Sequence, residues 1–117
     1  MSSIVNVKVE YIRPKYKNLK EWMADENNVY IGRRNIVFID GNRFPKENSI
    51  WANPFKITNT ISREEVIQSY EDYIIDKIEN EYGIEELMKL KNKNLGCWCY
   101  PEKCHGDILI KIIEQFD

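Results

Sequence analysis

Residues that could bind a metal or act as nucleophiles are concentrated near the C-terminal end of this 117-residue chain. All three cysteines, Cys97, Cys99 and Cys104, and the single histidine, His105, fall within residues 95–109. Four such ligands suit a tetrahedral zinc ion, so zinc is the one cofactor that the sequence suggests. The spacing is not that of a Cys-x2-Cys knuckle, however, and free cysteine is among the most commonly buried residue types. We therefore favour small core residues over a zinc site.

The same stretch also suits covalent or acid–base chemistry. A thiol at a helix N-terminus beside an imidazole has a lowered pKa and is a better nucleophile, a role open to Cys104 or Cys99. His105 and Asp107 would supply proton transfer or orientation, but they are too close in sequence to face each other reliably. The catalytic candidates are His105, Asp107 and Cys104.

A third interpretation is a pocket for a small anionic ligand. The sequence predicts a short buried strand over residues 95–99, a tight turn at Pro101 and a helix that begins near His105. A strand that runs into a helix N-terminus leaves backbone N–H groups, here those near His105 and Gly106, facing the space above the strand end. Gly106 would let a ligand approach the backbone closely.

Side chains from other parts of the chain could complete this pocket. Arg33 and Arg43 lie near turn glycines, where a guanidinium can fork onto phosphate or carboxylate. Trp51 could stack on a base and Asn53 could read its polar edge, although a tryptophan is more often a core residue and a lone arginine a surface one. The predicted ligand-binding residues are Tyr30, Gly32, Arg33, Arg43, Trp51, Asn53, Cys99 and Gly106.

The helices that must position these groups have clear sequence signals. Ser62 and Glu65 form a capping box that begins a long amphipathic helix ending near Gly83, and a shorter helix follows over residues 84–90. The last helix has Asp107 in its first turn, where a carboxylate complements the helix dipole. Its apolar stripe consists of Ile108, Leu109, Ile112, Ile113 and Phe116.

The strands are predicted from β-branched alternation and turn signals. A first strand is expected over residues 4–12, a short second one over residues 29–31, and a buried one over residues 35–40 that enters an Asp40-Gly41 turn. Residues 19–24 have the length of one or two helical turns. This order predicts a single α/β domain over residues 1–117, a compact three-layer, Rossmann-like fold with helices flanking a small sheet.

Composition narrows the function classes. With 43% hydrophobic and 31% charged residues, the chain is typical of a globular protein, and no apolar run approaches the roughly 20 residues that span a bilayer. Because a strand-like pattern follows Ser3 directly, we expect no leader peptide and a cytoplasmic protein, in the host cytoplasm if the chain is viral, without membrane contact. The odd number of cysteines argues against a disulfide framework.

The net charge of −2 conceals an uneven distribution. Residues 1–57 carry ten Lys/Arg against six Asp/Glu, whereas residues 58–117 carry seven against thirteen. A pI near 5.5 argues against non-specific nucleic-acid binding, yet the basic half could steer a small phosphorylated ligand. The oligomeric state stays open.

Four segments occur in a specific order, namely Val29–Arg33, Trp51–Ile57, Ser62–Tyr70 and Leu95–Leu109. Together they resemble the domain-of-unknown-function family numbered 4326, a set of small proteins from phages, large DNA viruses, bacteria and some eukaryotes. The resemblance, which runs from about Val5 to Phe116, implies a compact α/β domain and a shared site built from the Tyr-Ile-Gly-Arg, Trp-x-Asn-Pro-Phe and Cys-Trp-Cys…Cys-His segments. It implies no particular activity. Residues 34–50, with Arg43, are an insertion relative to the shorter members.

Two functions remain as hypotheses. In the first, the protein binds, and in one version modifies, a nucleotide or nucleotide-like phosphorylated small molecule at the strand-end pocket. A sequestering protein for a signalling nucleotide would use the same pocket without turnover. The alternative is a small zinc-stabilised interaction module that uses Cys97, Cys99, Cys104 and His105. Whether the protein is an enzyme is left open.

Overall fold

The structure, a computed structural model, describes residues 2–99 and 102–116, with five strands and five α-helices in that part of the chain. In chain order the elements are β1 (Ser3–Asn6), α1 (Val9–Ile12), α2 (Leu19–Ala24), β2 (Asn28–Tyr30), β3 (Val37–Ile39), β4 (Asn42–Phe44), α3 (Arg63–Lys77), α4 (Ile84–Met88), β5 (Asn94–Cys97) and α5 (His105–Gln115). A π-helical turn, Ile78–Tyr82, joins α3 to α4. The turn predicted at Pro101 lies outside the described residues.

A parallel three-stranded sheet in the order β1-β5-β2 forms the centre of the fold. Both β1 and β2 pair with β5, which is therefore hydrogen-bonded on both edges. Successive side chains of a strand point to opposite faces, so Leu95 and Cys97 face α3, α4 and α5, while Gly96 faces Trp22 of α2. Helices cover both faces of the sheet. The α/β class is confirmed, and the finer Rossmann-like description stays a prediction.

Each face of the sheet packs on its own apolar core. The core under α3, α4 and α5 contains Ile31, Trp51, Tyr70, Ile74, Ile78, Leu87, Leu90, Leu95, Cys97, Cys104, Ile108, Leu109, Ile112 and Ile113. The core under α1 and α2 contains Val7, Ile12, Leu19, Trp22 and Tyr30, with the β3–β4 hairpin packed against it.

The first predicted strand is wrong beyond Asn6. The chain pairs with β5 only as far as the carbonyl of Cys97, which accepts a hydrogen bond from Val7, and there β5 itself ends. The Asn6 side chain then accepts a hydrogen bond from the amide of Lys8 and turns the chain into α1. A strand needs a partner for its backbone groups, and residues 9–12 have none at this edge, so they form a helical turn despite their β-branched side chains.

The burial predicted for the strand over residues 35–40 is also wrong. β3 pairs only with β4, in an antiparallel hairpin separate from the central sheet, and its Phe38 is 65% exposed. The Asp40-Gly41 turn is confirmed, because both residues have positive φ angles of 52° and 81°.

The helix predictions are confirmed. Ser62 and Glu65 form the capping box of α3, and the helical segment ends at Gly83, whose φ is 83°. α4 and the two turns of α2 lie where they were expected. The stripe of α5 is buried except for Phe116, which is 54% exposed beyond the last turn. β5 ends at Cys97, two residues earlier than predicted. In the described part of the chain, no helix combines the length and the apolar character needed to cross a membrane.

Candidate functional site

A cavity of about 450 Å³ opens where β2 and β5 end and α5 begins. Carboxyl ends of parallel strands meet at one edge of a sheet, and this is where α/β proteins bind ligands. The cavity is lined by Gly32, Arg33, Ile36, Asn53, Phe55, Lys56, Ile57, Arg63, Val66, Ile67, Cys97, Trp98, Cys99, Lys103, Cys104 and His105. The three segments that the sequence singled out therefore surround one space.

Arg33 shapes one wall of the cavity. Its Nε donates a hydrogen bond to the carbonyl of Asn53 at 2.8 Å, and its Nη2 donates one to the carbonyl of Phe55 at 2.8 Å. The guanidinium thus holds an irregular loop in place by a two-pronged contact. Its Nη1 makes no hydrogen bond to the described residues and is available to a ligand.

Tyr30 and Trp98 hold the backbone behind Arg33. The Trp98 Nε1 donates to the Tyr30 hydroxyl at 2.8 Å, and that hydroxyl donates to the carbonyl of Arg33 at 2.7 Å. Burial raises the pKa of Tyr30, so its hydroxyl stays protonated and keeps donating. Tyr30 therefore positions the backbone of Arg33 without lining the cavity, whereas Trp98 is one of the lining residues.

His105 is buried at the first position of α5, with one ring nitrogen committed to the fold. Its Nε2 lies 2.6 Å from the carbonyl of Ile31, and its ring forms a T-shaped pair with the Tyr70 ring, with the ring centres 5.0 Å apart. Burial lowers the pKa of His105 and the charge of Arg33 lowers it further, against the opposing influence of the Ile31 carbonyl and Asp107. The neutral ring donates from Nε2. Nδ1 makes no hydrogen bond to the described residues, and His105 is one of the residues that line the cavity.

The lowered pKa of His105 predicts a loss of stability in mild acid. In the unfolded chain His105 takes up a proton near pH 6.5, whereas in the folded chain it does so only at lower pH. The free energy of unfolding therefore has its full value, as far as His105 is concerned, above about pH 6.5 and decreases below it. Within that window the loss approaches about 1.4 kcal/mol per pH unit. Urea unfolding between pH 5 and 7.5 measures it. His105→Gln keeps an N–H for the Ile31 carbonyl and should make the free energy of unfolding less dependent on pH. The same pH dependence in both proteins would show that His105 is not its cause.

The cysteines fall into a buried pair and one half-buried residue, and all three line the cavity. The Sγ atoms of Cys97 and Cys104 are 3.4 Å apart, which makes them hydrogen-bonded thiols and not a disulfide. The hydrogen bond to Cys97 and burial raise the pKa of Cys104 far above its usual value. This is opposite to the lowered pKa expected of a thiol at a helix N-terminus, because the nearest partner of Cys104 is a second thiol and not the imidazole. Cys99 is half-buried and lines the cavity.

At the N-terminus of α5, the backbone amides of Cys104 and Gly106 are used within the helix cap. The amide of Cys104 donates to the Asp107 carboxylate at 3.1 Å, and the amide of Gly106 donates to the Cys104 sulfur at 3.4 Å. A Cβ on Gly106 would lie 2.5 Å from Ile4 and 3.0 Å from Ile31, so this glycine allows α5 to pack closely on the sheet. An anion in the cavity would therefore be held mainly by side chains.

The structure brings some of the predicted site residues to the cavity and leaves others outside it. Those that line it are Gly32, Arg33, Asn53, Cys99, Cys104 and His105. Three others do not line it. Tyr30 and Gly106 are buried behind the cavity wall, and Asp107 is exposed in the first turn of α5. Trp51 is 4% exposed and packs on Tyr82 in the core. Arg43 lies on β4 with its guanidinium 4.5 Å from the centre of the Phe38 ring, and its Nη1 donates to the carbonyl of Asn35.

Sequence reasoning missed the basic residues that complete the cavity, Lys56, Arg63 and Lys103. Arg63 bonds to the carbonyl of Lys103 at 3.0 Å and pairs with Glu102 at 2.6 Å. A contact across 40 residues leaves no local signal. Lys56, in contrast, directly follows the Trp-x-Asn-Pro-Phe segment and could have been included on that ground.

The zinc hypothesis has no support from the arrangement of side chains. Within residues 2–99 and 102–116, no group of three or more His, Cys, Asp or Glu side chains is placed to hold a metal ion. Cys97 and Cys104 bond to each other, and the Nε2 of His105 bonds to Ile31. Zinc binding stays a prediction that metal analysis can test.

Comparisons with known proteins give one family and two relatives. Residues 15–115 match the family described as Domain of unknown function (DUF4326). Uncharacterized protein R718 of Acanthamoeba polyphaga mimivirus is 33% identical over 114 residues, which cover 88% of this chain and 82% of that protein. An uncharacterized 12.4 kDa protein of Enterobacteria phage T4, from the nrdA-td intergenic region, is 36% identical over 55 residues, 46% of this chain and 51% of its own length. No solved structure matches.

Proposed function

The chain belongs to the DUF4326 family, which confirms the resemblance drawn from its motifs, and we propose that it binds a nucleotide or nucleotide-like phosphorylated small molecule in the cavity at the carboxyl end of β5. One observation carries the proposal. Among the described residues that line the cavity, four are basic, namely Arg33, Lys56, Arg63 and Lys103, and none is acidic. An apolar cavity with only positive charges favours a ligand that has both a ring and an anionic group.

The basic residues differ in their freedom to bind phosphate. Arg63 is partly neutralised by Glu102. Lys56 and Lys103 are exposed and form no ion pair with the described residues, so their ammonium groups can turn toward a ligand. Arg33 keeps its Nη1 for the same purpose while its other nitrogens hold the loop. We assign Arg33 as the fixed anion contact and the two lysines as adjustable ones.

The walls of the cavity suit the rest of such a ligand. Its volume of about 450 Å³ lies in the range of roughly 300–1,000 Å³ found for small-molecule sites. Phe55 and Trp98 offer ring faces on which a base can stack, and Ile57 and Ile67 supply apolar contact. The Nδ1 of His105 can accept a hydrogen bond from a base or a ribose hydroxyl, which would give the site its orientation.

Turnover would need a proton acceptor, and His105 is the residue placed to provide one. Asp107 does not assist it, since the carboxylate caps α5 and lies outside the cavity lining. Incubation with each ligand that binds, followed by mass spectrometry of the products, separates an enzyme from a protein that only sequesters its ligand. Loss of the product in His105→Gln would assign the proton transfer to this residue.

Thermal unfolding with a panel of nucleotides tests the binding proposal. At a concentration of 100 times Kd, a ligand stabilises the fold by about 2.7 kcal/mol, which raises the Tm by several degrees. The panel contains the common mononucleotides, ADP-ribose and cyclic nucleotides. We expect at least one of them to stabilise the protein, and the effect to weaken as salt is raised, because the contacts are charged.

Two lysine variants make this test specific. The double variant Lys56→Ala, Lys103→Ala should lose most of the ligand-induced shift without a change in the Tm of the free protein, because both side chains are exposed. Lys20→Ala removes a lysine from α2, away from the cavity lining, and serves as the matched control. The absence of a shift with every nucleotide, or an equal shift in the double variant, would reject the proposal.

A further inference from the structure

A second cavity adjoins the first. It has a volume of about 280 Å³ and lies between the α1–α2 region and the β3–β4 hairpin. Trp98 borders both cavities. The chain also passes from one cavity to the other at the start of β3. Ile36, the residue before this strand, lines the first cavity, and Phe38 within it lines the second. The two spaces are therefore neighbours with a shared wall.

The second cavity, like the first, combines basic and apolar side chains. Arg13 and Lys17 are the basic residues of its lining, beside several aliphatic side chains. Phe38 is 65% exposed, and the guanidinium of Arg43 lies 4.5 Å from the centre of its ring. An exposed ring near positive charge is a platform on which nucleic-acid bases stack. Asp40 is the one acidic residue among the described lining residues, and a carboxylate beside a nucleotide can accept a hydrogen bond from a ribose hydroxyl.

The second cavity is too small to be a typical site of its own. Independent small-molecule sites occupy roughly 300–1,000 Å³, and about 280 Å³ falls below that range. Its position against Trp98 makes it an extension of the first cavity. The geometry points to a ligand of two nucleoside units joined through phosphate, with one unit in each cavity and Trp98 between them. This inference rests on the proposed function and narrows its substrate class to dinucleotides.

Calorimetric titration against matched ligands tests the inference. AMP, GMP, CMP and UMP are compared with ligands of two units in three linkages, namely linear 5′-phosphorylated dinucleotides, pyrophosphate-linked dinucleotides such as NAD, and cyclic dinucleotides. We expect at least one linkage to bind ten times more tightly than its parent mononucleotide. The linkage with the largest gain in affinity over its mononucleotide identifies the class of dinucleotide that the protein binds.

Replacement of Phe38 shows whether the gain comes from the second cavity. Phe38→Ala should weaken the preferred two-unit ligand roughly tenfold, the scale of one lost stacking contact, and leave mononucleotide binding within twofold. Phe116→Ala removes another exposed ring, at the far end of α5, and should change neither affinity. Because both rings are exposed, both variants should fold, and their Tm values verify this.

Two results would overturn the inference while the proposed function stands. One is a mononucleotide that binds as tightly as every two-unit ligand. The other is an equal loss of mononucleotide and two-unit binding in Phe38→Ala, which would mean that the ring acts on the first cavity. If no nucleotide of either size binds, both the inference and the proposed function are rejected.

Discussion

Replacing Gly96 with alanine should lower the free energy of unfolding by about 3 kcal/mol, the upper end of the usual cost of overpacking a core. Gly96 lies in the middle of β5, hydrogen-bonded on both edges. A Cβ there would overlap the ring of Trp22 and lie 2.7 Å from a methyl carbon of Val7. Because β5 cannot move without disturbing both neighbours, Trp22 would have to shift. Denaturant unfolding measures the loss, and a Tm about 10 °C lower should accompany it.

Two further variants identify the cause of this loss. Trp22→Phe removes part of the ring that the new methyl group would strike, so its combination with Gly96→Ala should cost at least 1 kcal/mol less than the sum of the single variants. Gly41→Ala is the matched control, because open space surrounds its Cβ position and only its φ of 81° opposes the change. It should cost about 1 kcal/mol. A Gly96→Ala protein within 1 kcal/mol of the wild type would contradict the packing described for β5.

Arg33→Lys should weaken nucleotide binding tenfold or more although it keeps the positive charge. The guanidinium makes two hydrogen bonds, to the carbonyls of Asn53 and Phe55, and its Nη1 makes none to the described residues, while the side chain lines the cavity. A lysine has one nitrogen and cannot do both. We also expect the free energy of unfolding to fall by about 2 kcal/mol, the scale of a lost hydrogen bond to a charged group. Calorimetry and urea unfolding give the two values.

Arg34→Lys provides the control for this prediction. Arg34 is the neighbouring residue, is exposed and is absent from the cavity lining, so both measurements should stay at the wild-type values. Hydrogen exchange adds a local measurement: the amide of Phe55 bonds to the side chain of Asn53 and should exchange faster in Arg33→Lys, because the loop has lost its anchor. Unchanged affinity in that variant would remove Arg33 from the proposed site.

Those parts of the fold that depend on neighbouring residues could be predicted from the sequence. The capping box of Ser62 and Glu65 and the apolar stripe of α5 are local signals, and both are where they were expected. Local rules of this kind work because each depends on backbone groups only a few residues apart. The approach of Arg33 and Asn53 to His105 is not local, and it was anticipated because the family resemblance implied one site shared by the segments that carry them.

The remaining features depend on contacts that the sequence does not show. Residues 9–12 have β-branched side chains, yet they form a helical turn because β5 has ended and offers no partner. Gly106 was assigned to ligand contact, whereas its missing side chain is needed for packing on Ile4. Arg63 is brought to the cavity by the tertiary fold, through its bond to the carbonyl of Lys103 40 residues away, so nothing near it in the sequence indicated it. In each case the deciding partner is distant in sequence.

The strand order has a consequence for how the chain folds as it is made. β1 and β2 do not pair with each other in this sheet, and both depend on β5, whose residues follow those of β2 by more than 60 positions. During synthesis the first two strands therefore emerge from the ribosome without a template. Pairings between such distant residues are slow to form, so the hairpin and α3 are the parts that can take shape early. The late arrival of one short segment completes the sheet, both cores and the cavity together.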